Sequence, residues 1–336
     1  MNRFHACNSL PGASLDESLD RLLHDLRRLN RNLAPEGHAL RYSKVFLSDI
    51  ANQWTPFHAS PLYREILSGT HCSVVGQAPL DGSKITVLAG SGAENNLLFH
   101  SFRLSGEEAA GLDSRAQTSL LFRRYIERIG AEGLTLEDDC LRTWIYVQDI
   151  DNNYAGVVRA RNDLFKEHGL TPETHFIAST GIGGASPARG AVVSMDFLTL
   201  PGRKEIRHLH ATDHLSPTHA YGVAFERGSR VTWKDGDLIL ISGTASIDAR
   251  GQILHADDVL RQADRLLENI AALLAEGGAH LEDVRHFIVY LRDPADYLRI
   301  QEYMFFRFPH TPFVIVRAPV CRPGWLIEME CMAEPA

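Results

Sequence analysis

The chain has 336 residues, 44% of them hydrophobic, which is too apolar for a disordered chain and enough for about two buried cores at ~150 residues each. Thirty-four Lys plus Arg against 42 Asp plus Glu leave a formal charge of −8. That balance argues against nucleic acid or an anionic membrane as a partner, and any anionic substrate would have to be captured by a local arginine cluster. No apolar run reaches the ~18 residues that cross a bilayer, and the first residues lack the apolar centre of a secretory signal. Five scattered cysteines without a CxxC pair indicate neither a disulfide framework nor a zinc knuckle. A cytoplasmic protein is expected, monomeric or weakly self-associating.

Residues 1–70 contain one amphipathic helical stretch, Leu15–Leu29, and one extended run, Leu40–Leu47. They are expected to form an extension packed on the first of two repeats. The repetition rests on Gln117–Asp138, which aligns without gaps on Gln262–Asp283 and shares the glutamine, a leucine, a glycine and a Leu-Glu-Asp triplet. In the second copy Leu266, Leu267, Ile270, Leu273 and Leu274 fall on one helix face. Each helix is followed by a β-branched and aromatic run, from Arg142 and from His286, and then by a second helical stretch, Tyr154–His168 or Tyr297–Phe308. Two further strand-like runs close each copy, starting at His175 and Ala191 in the first and at Pro312 and Trp325 in the second. Upstream of the second copy, Tyr221–Phe225 and Asp237–Ile241 read as a hairpin. The chain therefore divides into an extension (1–70), a degenerate unit (71–200), a polar linker (201–217) and a second unit (218–336), each unit of the form β-β-α-β-α-β-β. The linker histidines His208, His210 and His214, with His219 just beyond it, have spacing that could ligate zinc, but no scaffold for a metal is evident.

A duplicated fold keeps its core, so differences at matched positions mark specialised sites. Thr180 is matched to Arg317 and Ser194 to Glu328, which predicts that the second copy alone sets an arginine and a carboxylate on adjacent antiparallel strands. Alternation along Trp325–Ala333 puts Leu326, Glu328, Glu330 and Met332 on one face, where an ionised glutamate is costly. Either Arg317 and Glu328 pair with one another, or Arg317 holds a substrate carboxylate while Glu328 exchanges a proton with it. The run Thr180–Gly184 is either a tight turn or a set of backbone N–H groups for a carboxylate, Gly183 among them; it is neither a dinucleotide fingerprint nor a P-loop.

The segment from Phe225 to Asp248, the helix after it and the closing strands around Val316-Arg317-Ala318 and Ile327-Glu328-Met329 resemble the Rid (YjgF-type) fold. Together, the motifs from Arg142, Ser179 and Val320 over residues 40–335 are similar to the chorismatases, which look like a Rid trimer folded into one chain. The resemblance implies an α/β (α+β) protein of tandem Rid-like units in a pseudo-trimeric arrangement. It implies release of pyruvate from chorismate with no cofactor, and Glu328 as proton donor to the enol ether. A cysteine seven positions before the glutamate marks the subgroup that makes 3-hydroxybenzoate, and Cys321 has that spacing. In that subgroup the neighbouring ring hydroxyl displaces the ether, and the cysteine serves the aromatisation; Arg322 beside it could favour its thiolate. Arg317 is expected to hold one carboxylate of chorismate, and Arg142, Tyr154 and Arg161 the other. Tyr221 would line the pocket, and the size of Ala245 would bear on product choice. Accompanying 4-hydroxybenzoate, a hydrolytic route to a dihydroxycyclohexadienoate, an enamine or imine deaminase, and a non-catalytic metabolite-binding protein are the alternatives.

Overall fold

The computed structural model describes residues 3–335 and contains three α/β units rather than two with an extension. The first comprises β1 (Arg3–Asn8), α1 (Leu15–Leu33), β2 (Ala39–Leu47), α2 (Ile50–Ala59), β3 (His71–Gly76) and β4 (Ile85–Gly92). The second comprises β5 (Leu98–Phe102), α3 (Ser114–Gly130), β6 (Cys140–Val147), α4 (Ile150–Glu167), β7 (Ala178–Gly183) and β8 (Val193–Thr199). The third comprises β9 (Lys204–Leu209), β10 (Gly228–Trp233), β11 (Gly236–Ala245), α5 (Val259–Glu276), β12 (Val284–Leu291), α6 (Tyr297–Arg307), β13 (Phe313–Arg317) and β14 (Ile327–Ala333). The sheets run β1-β4-β2-β3, β5-β8-β6-β7 and β9-β10-β11-β14-β12-β13, so one four-strand order occurs three times and the last copy gains two strands.

Local chemistry starts these elements. Ser14 opens α1 with a capping box, its hydroxyl accepting from the Glu17 N–H while the Glu17 carboxylate accepts from the Ser14 N–H, and the helix buries Leu19, Leu22, Leu23 and Leu26. The apolar stripe of α5 is buried as its periodicity predicts. The matched glutamines do matched work. Gln117 Nε2 donates to the Gly190 carbonyl and its Oε1 accepts from Val192 N–H; Gln262 Nε2 donates to Gly324 and its Oε1 accepts from Leu326 N–H. Each fully buried amide thus ties a helix to the turn that enters the last strand of its unit.

Three expectations shift. Residues 71–92 belong to the first sheet, because β3 pairs in parallel and β4 antiparallel with β2. Such non-local pairings leave no trace in local periodicity. The polar stretch 201–217 includes β9, which pairs with β10 along its length. Tyr221–Phe225 is not a strand: a single 3-10 turn at Thr218–Tyr221 ends at Gly222, whose φ of 83° suits a residue without Cβ, and the hairpin lies further on, in β10 and β11. One hydrophobic cluster contains Phe46 and Leu88 of the first unit, Trp144 and Tyr146 of the second, and Ile288 and Tyr290 of the third, so the core runs through all three. Isolated bridges Gly76–Ala185, Pro79–Val316 and Ile182–Val320 join the units in pairs.

Candidate functional site

Strand β14 carries Glu328 and Glu330 on one face, and both are buried, at 5% and 2% exposed. Glu328 lies opposite Ala245 on β11 and Tyr290 on β12. Room for its carboxylate comes from a bulge in β11, where the register with β14 slips between Ile241 and Thr244. A Cβ on Gly243 in that bulge would sit 2.2 Å from Glu328 Oε1. The second unit closes this side: Gly243 N–H donates to Thr180 Oγ1 (2.9 Å), Ser179 N–H donates to Ser242 Oγ (2.9 Å), and the Ser242 hydroxyl donates to the Glu226 carbonyl.

Glu328 opens into a cavity of about 140 Å³ between the second and third units, lined by Tyr154, Arg161, Ser179 and Gly181 on one side and by Tyr221, Val223, Phe225, Arg227, Ala245, Cys321, Arg322 and Trp325 on the other. Three arginines converge on it. Arg161 is buried with Nε and Nη2 unpartnered; Arg227 is buried with Nη2 on the Ser216 carbonyl and Nε unpartnered. The guanidinium of Arg322 lies over the rings of Tyr221 (4.9 Å) and Trp325 (4.8 Å), and that of Arg227 over Phe225 (5.3 Å). The wall from Gly222 to Ala224 is pinned by Asn162 of α4, which donates to the Gly222 carbonyl and accepts from Ala224 N–H. Desolvated guanidinium donors without protein partners are what a small anion needs for recognition.

Burial pushes the Glu328 carboxyl up to about 8, with the neighbouring Glu330 charge adding to it and Arg227 and Arg142 opposing. The group is therefore a carboxylic acid at neutral pH. Burial also pushes the Cys321 thiol up to about 12, with the Glu328 charge adding, and Arg322 offsets only part of this. Cys321 is thus a neutral thiol, which corrects the expectation of a thiolate: an arginine next in sequence is outweighed by loss of solvent. Burial raises the Tyr154 and Tyr221 phenols as well.

Of the residues singled out from the sequence, Glu328, Cys321, Tyr154, Arg161, Tyr221 and Ala245 meet in this cavity, and Thr180 braces its wall. Arg142, Arg317 and Gly183 do not line it. Arg142 lies behind it, its Nη2 donating to Glu330 (3.0 Å) and Thr180 (2.7 Å) and its Nε and Nη1 buried without a partner. Arg317 is exposed, on a different cavity with Gly183, Asp149 and Asp151. Strand β12 lies between β13 and β14, so Arg317 and Glu328 are not on adjacent strands. The hydrogen-bond register explains the misplacement. Trp144 pairs with Thr180 and Ile288 with Val314, whereas Val147 pairs with Gly183 and Leu291 with Arg317. The counterpart of Arg317 is therefore Gly183, three residues from the expected Thr180. The match of Ser194 with Glu328 agrees with the register, through Tyr146 and Tyr290. Arg227 was missed: it sits in Phe225-Glu226-Arg227-Gly228, where turn residues make a charge read as solvated. Among the described residues no cluster of His, Cys, Asp and Glu is arranged to hold a metal, and no helix is long and apolar enough to cross a membrane. His208 instead stacks on His175 at 4.8 Å.

The family model described as endoribonuclease L-PSP matches residues 223–335, the third unit without β9. A RutC family protein of Pyrococcus abyssi is 35% identical over 102 residues, covering 30% of this chain and 80% of its own. The 3-aminoacrylate deaminase RutC of Acinetobacter baylyi is 29% identical over 102 residues, with 30% and 81% covered. The chain belongs to this RutC, or Rid/YjgF-type, family through its C-terminal unit. Over its full length it has the fold of a chorismatase: a crystal structure of a chorismatase superposes with a TM-score of 0.69 at 19% identity, covering 99% of each chain.

Proposed function

We propose that the protein is a chorismatase that releases pyruvate from chorismate, with 3-hydroxybenzoate as the other product. The observation that carries the reading is a carboxyl at Glu328, buried so that its acid form is favoured, facing a small cavity toward which Arg161, Arg227 and Arg322 converge. Chorismate is a dianion with an enolpyruvyl ether, and its cleavage needs a proton on the enol methylene to make an oxocarbenium-like centre. Glu328 supplies that proton. The converging guanidinium groups hold the two carboxylates, with Arg161 on the second unit and Arg227 and Arg322 on the third, so the ring spans the interface. Displacement of the ether by the adjacent ring hydroxyl gives an arene oxide and pyruvate. Opening of the oxide and loss of a ring proton give the phenol, and the sum consumes no water. Cys321, a neutral thiol lining the same cavity, is the group that donates to or shields the ring oxygen during that opening in this reading.

The relation to a 3-aminoacrylate deaminase supports a second reading, hydrolysis of a small enamine or imine acid, which would use the same acid and one arginine. The third arginine and the aromatic walls of Tyr221, Phe225 and Trp325 favour the larger dianionic substrate. Incubating the purified chain with chorismate while following pyruvate, with chromatography of the ring product, tests the proposal. Pyruvate with 3-hydroxybenzoate supports it; a dihydroxycyclohexadienoate moves the protein to the hydrolytic branch, and no pyruvate refutes it.

A further inference from the structure

Behind the cavity, where the three units meet, lies a buried polar cluster whose members Glu330, Arg142, Trp144 and Lys44 do not line it. Glu330 has the same place in its sheet as Asp196 and Leu88 have in theirs, through the pairs Ile288–Glu330, Trp144–Asp196 and Lys44–Leu88. Its carboxylate accepts from Trp144 Nε1 (2.7 Å) and Arg142 Nη2 (3.0 Å), both on β6 of the second unit. Lys44 on β2 of the first unit is fully buried, makes no hydrogen bond through Nζ, and holds that ammonium 4.3 Å from the centre of the Trp144 ring. The same Arg142 nitrogen reaches Thr180 Oγ1, the atom that accepts from Gly243 N–H beside Glu328. A continuous chain of contacts thus runs from the first unit, through the second, to the wall of the Glu328 cavity.

We propose that Glu330 is a positioning residue for Glu328: a carboxylate, fixed by Arg142 and Trp144 of the neighbouring unit, that disfavours a second negative charge two residues along the strand and so adds to burial in favouring a proton on Glu328. This deepens the proposed function and rests on that reading for its catalytic meaning. Two side chains on one face of a strand stand ~6–7 Å apart, close enough in a dry interior for strong repulsion. The surroundings sort the two charges. Glu330 faces Arg142, Trp144 and Tyr146 from β6, Lys44 and Tyr42 from β2, Thr180 from β7, and His286 and Tyr290 from β12; Arg142 and Lys44 hold it below the usual carboxylate range, and burial keeps His286 neutral. Glu328 faces Arg227 from the loop before β10, Arg142 from β6, Tyr154 and Arg161 from α4, Tyr290 from β12, and Cys321 and Arg322 from the loop before β14. The pseudo-trimer therefore assigns one glutamate to carry charge and its neighbour to carry the proton.

The test is infrared titration of the Glu328 carboxyl in the ligand-free protein, isolated by difference against Glu328→Gln. The protonated carbonyl band should persist to near pH 8 in the native chain and titrate at least about one pH unit lower in Glu330→Gln, a tenfold stronger acid. Glu330→Asp, which keeps the charge, should return the midpoint toward the native value, an outcome that a merely structural role would not produce. Should Glu330→Gln fold poorly with Arg142 unpaired, the double variant Arg142→Met/Glu330→Gln removes both charges and should still titrate below the native chain. An unmoved midpoint overturns the proposal, as does equal displacement in the Asp and Gln variants. Absence of pyruvate release by the native protein would sink the chorismatase reading and leave this titration standing.

Discussion

Replacing Glu328 by glutamine should make the protein more stable, and by an amount that depends on pH. The carboxyl titrates near 4.5 when solvated and is pushed up to about 8 in the fold, a separation of about three and a half pH units. Below pH 4.5 the proton is bound in both states and the carboxyl makes no pH-dependent contribution. Between 4.5 and about 8 the unfolded chain releases a proton that the folded chain keeps, so native stability falls by ~1.4 kcal/mol per pH unit. Above about 8 both states are ionised and the full cost, on the order of 5 kcal/mol, has been incurred. A glutamine amide at this position never ionises and escapes that loss. Urea denaturation of the native and Glu328→Gln chains at pH 5, 6, 7 and 8 reads the difference directly. The gap in unfolding free energy should widen steadily in favour of the glutamine variant across that range. A gap that is flat with pH would mean that the carboxyl ionises in the fold as it does in water, and the argument for a buried acid would fail.

Other substitutions separate the roles within the cavity. Gly243→Ala places a Cβ against the Glu328 carboxylate in the β11 bulge and should abolish most pyruvate release while the chain remains folded by circular dichroism; unchanged turnover would place the acid elsewhere. Arg227→Ala should weaken binding of 3-hydroxybenzoate or chorismate by ~2–5 kcal/mol in calorimetry, as expected for a desolvated charge contact, whereas Arg317→Ala should leave affinity within about twofold. The reverse ranking would contradict the observed strand register. Cys321→Ala should retain affinity and alter the ratio of ring products; an identical product profile would remove the thiol from the chemistry.

Much of this architecture is written in local pattern. The stripe of Leu266, Ile270 and Leu273, the aromatic runs of β6 and β12, and a glutamate flanked by apolar neighbours at position 328 all follow from periodicity and from the cost of burying charge. What was not legible depends on pairings distant in sequence. The first unit reads as an extension because β3 and β4 declare their sheet only through hydrogen bonds to β2. Arg317 was misplaced because β13, matched to β7 on composition alone, slips three residues out of register, whereas β14 and β8 match as expected. On a strand, an odd slip also turns a side chain to the other face. Arg142 carries a charge that any sequence reading would offer to a substrate, yet Glu330, almost two hundred positions away, claims it. Arg227 was overlooked because the loop that buries it has the composition of a solvated turn.

The rate of pyruvate release from chorismate by Glu328→Gln, beside the native protein at pH 7, tests the acid role of Glu328 most directly. Loss of a positioned general acid should lower turnover by about a hundredfold to ten-thousandfold, with affinity for 3-hydroxybenzoate retained. A variant that releases pyruvate at close to the native rate would show that the proton comes from another group.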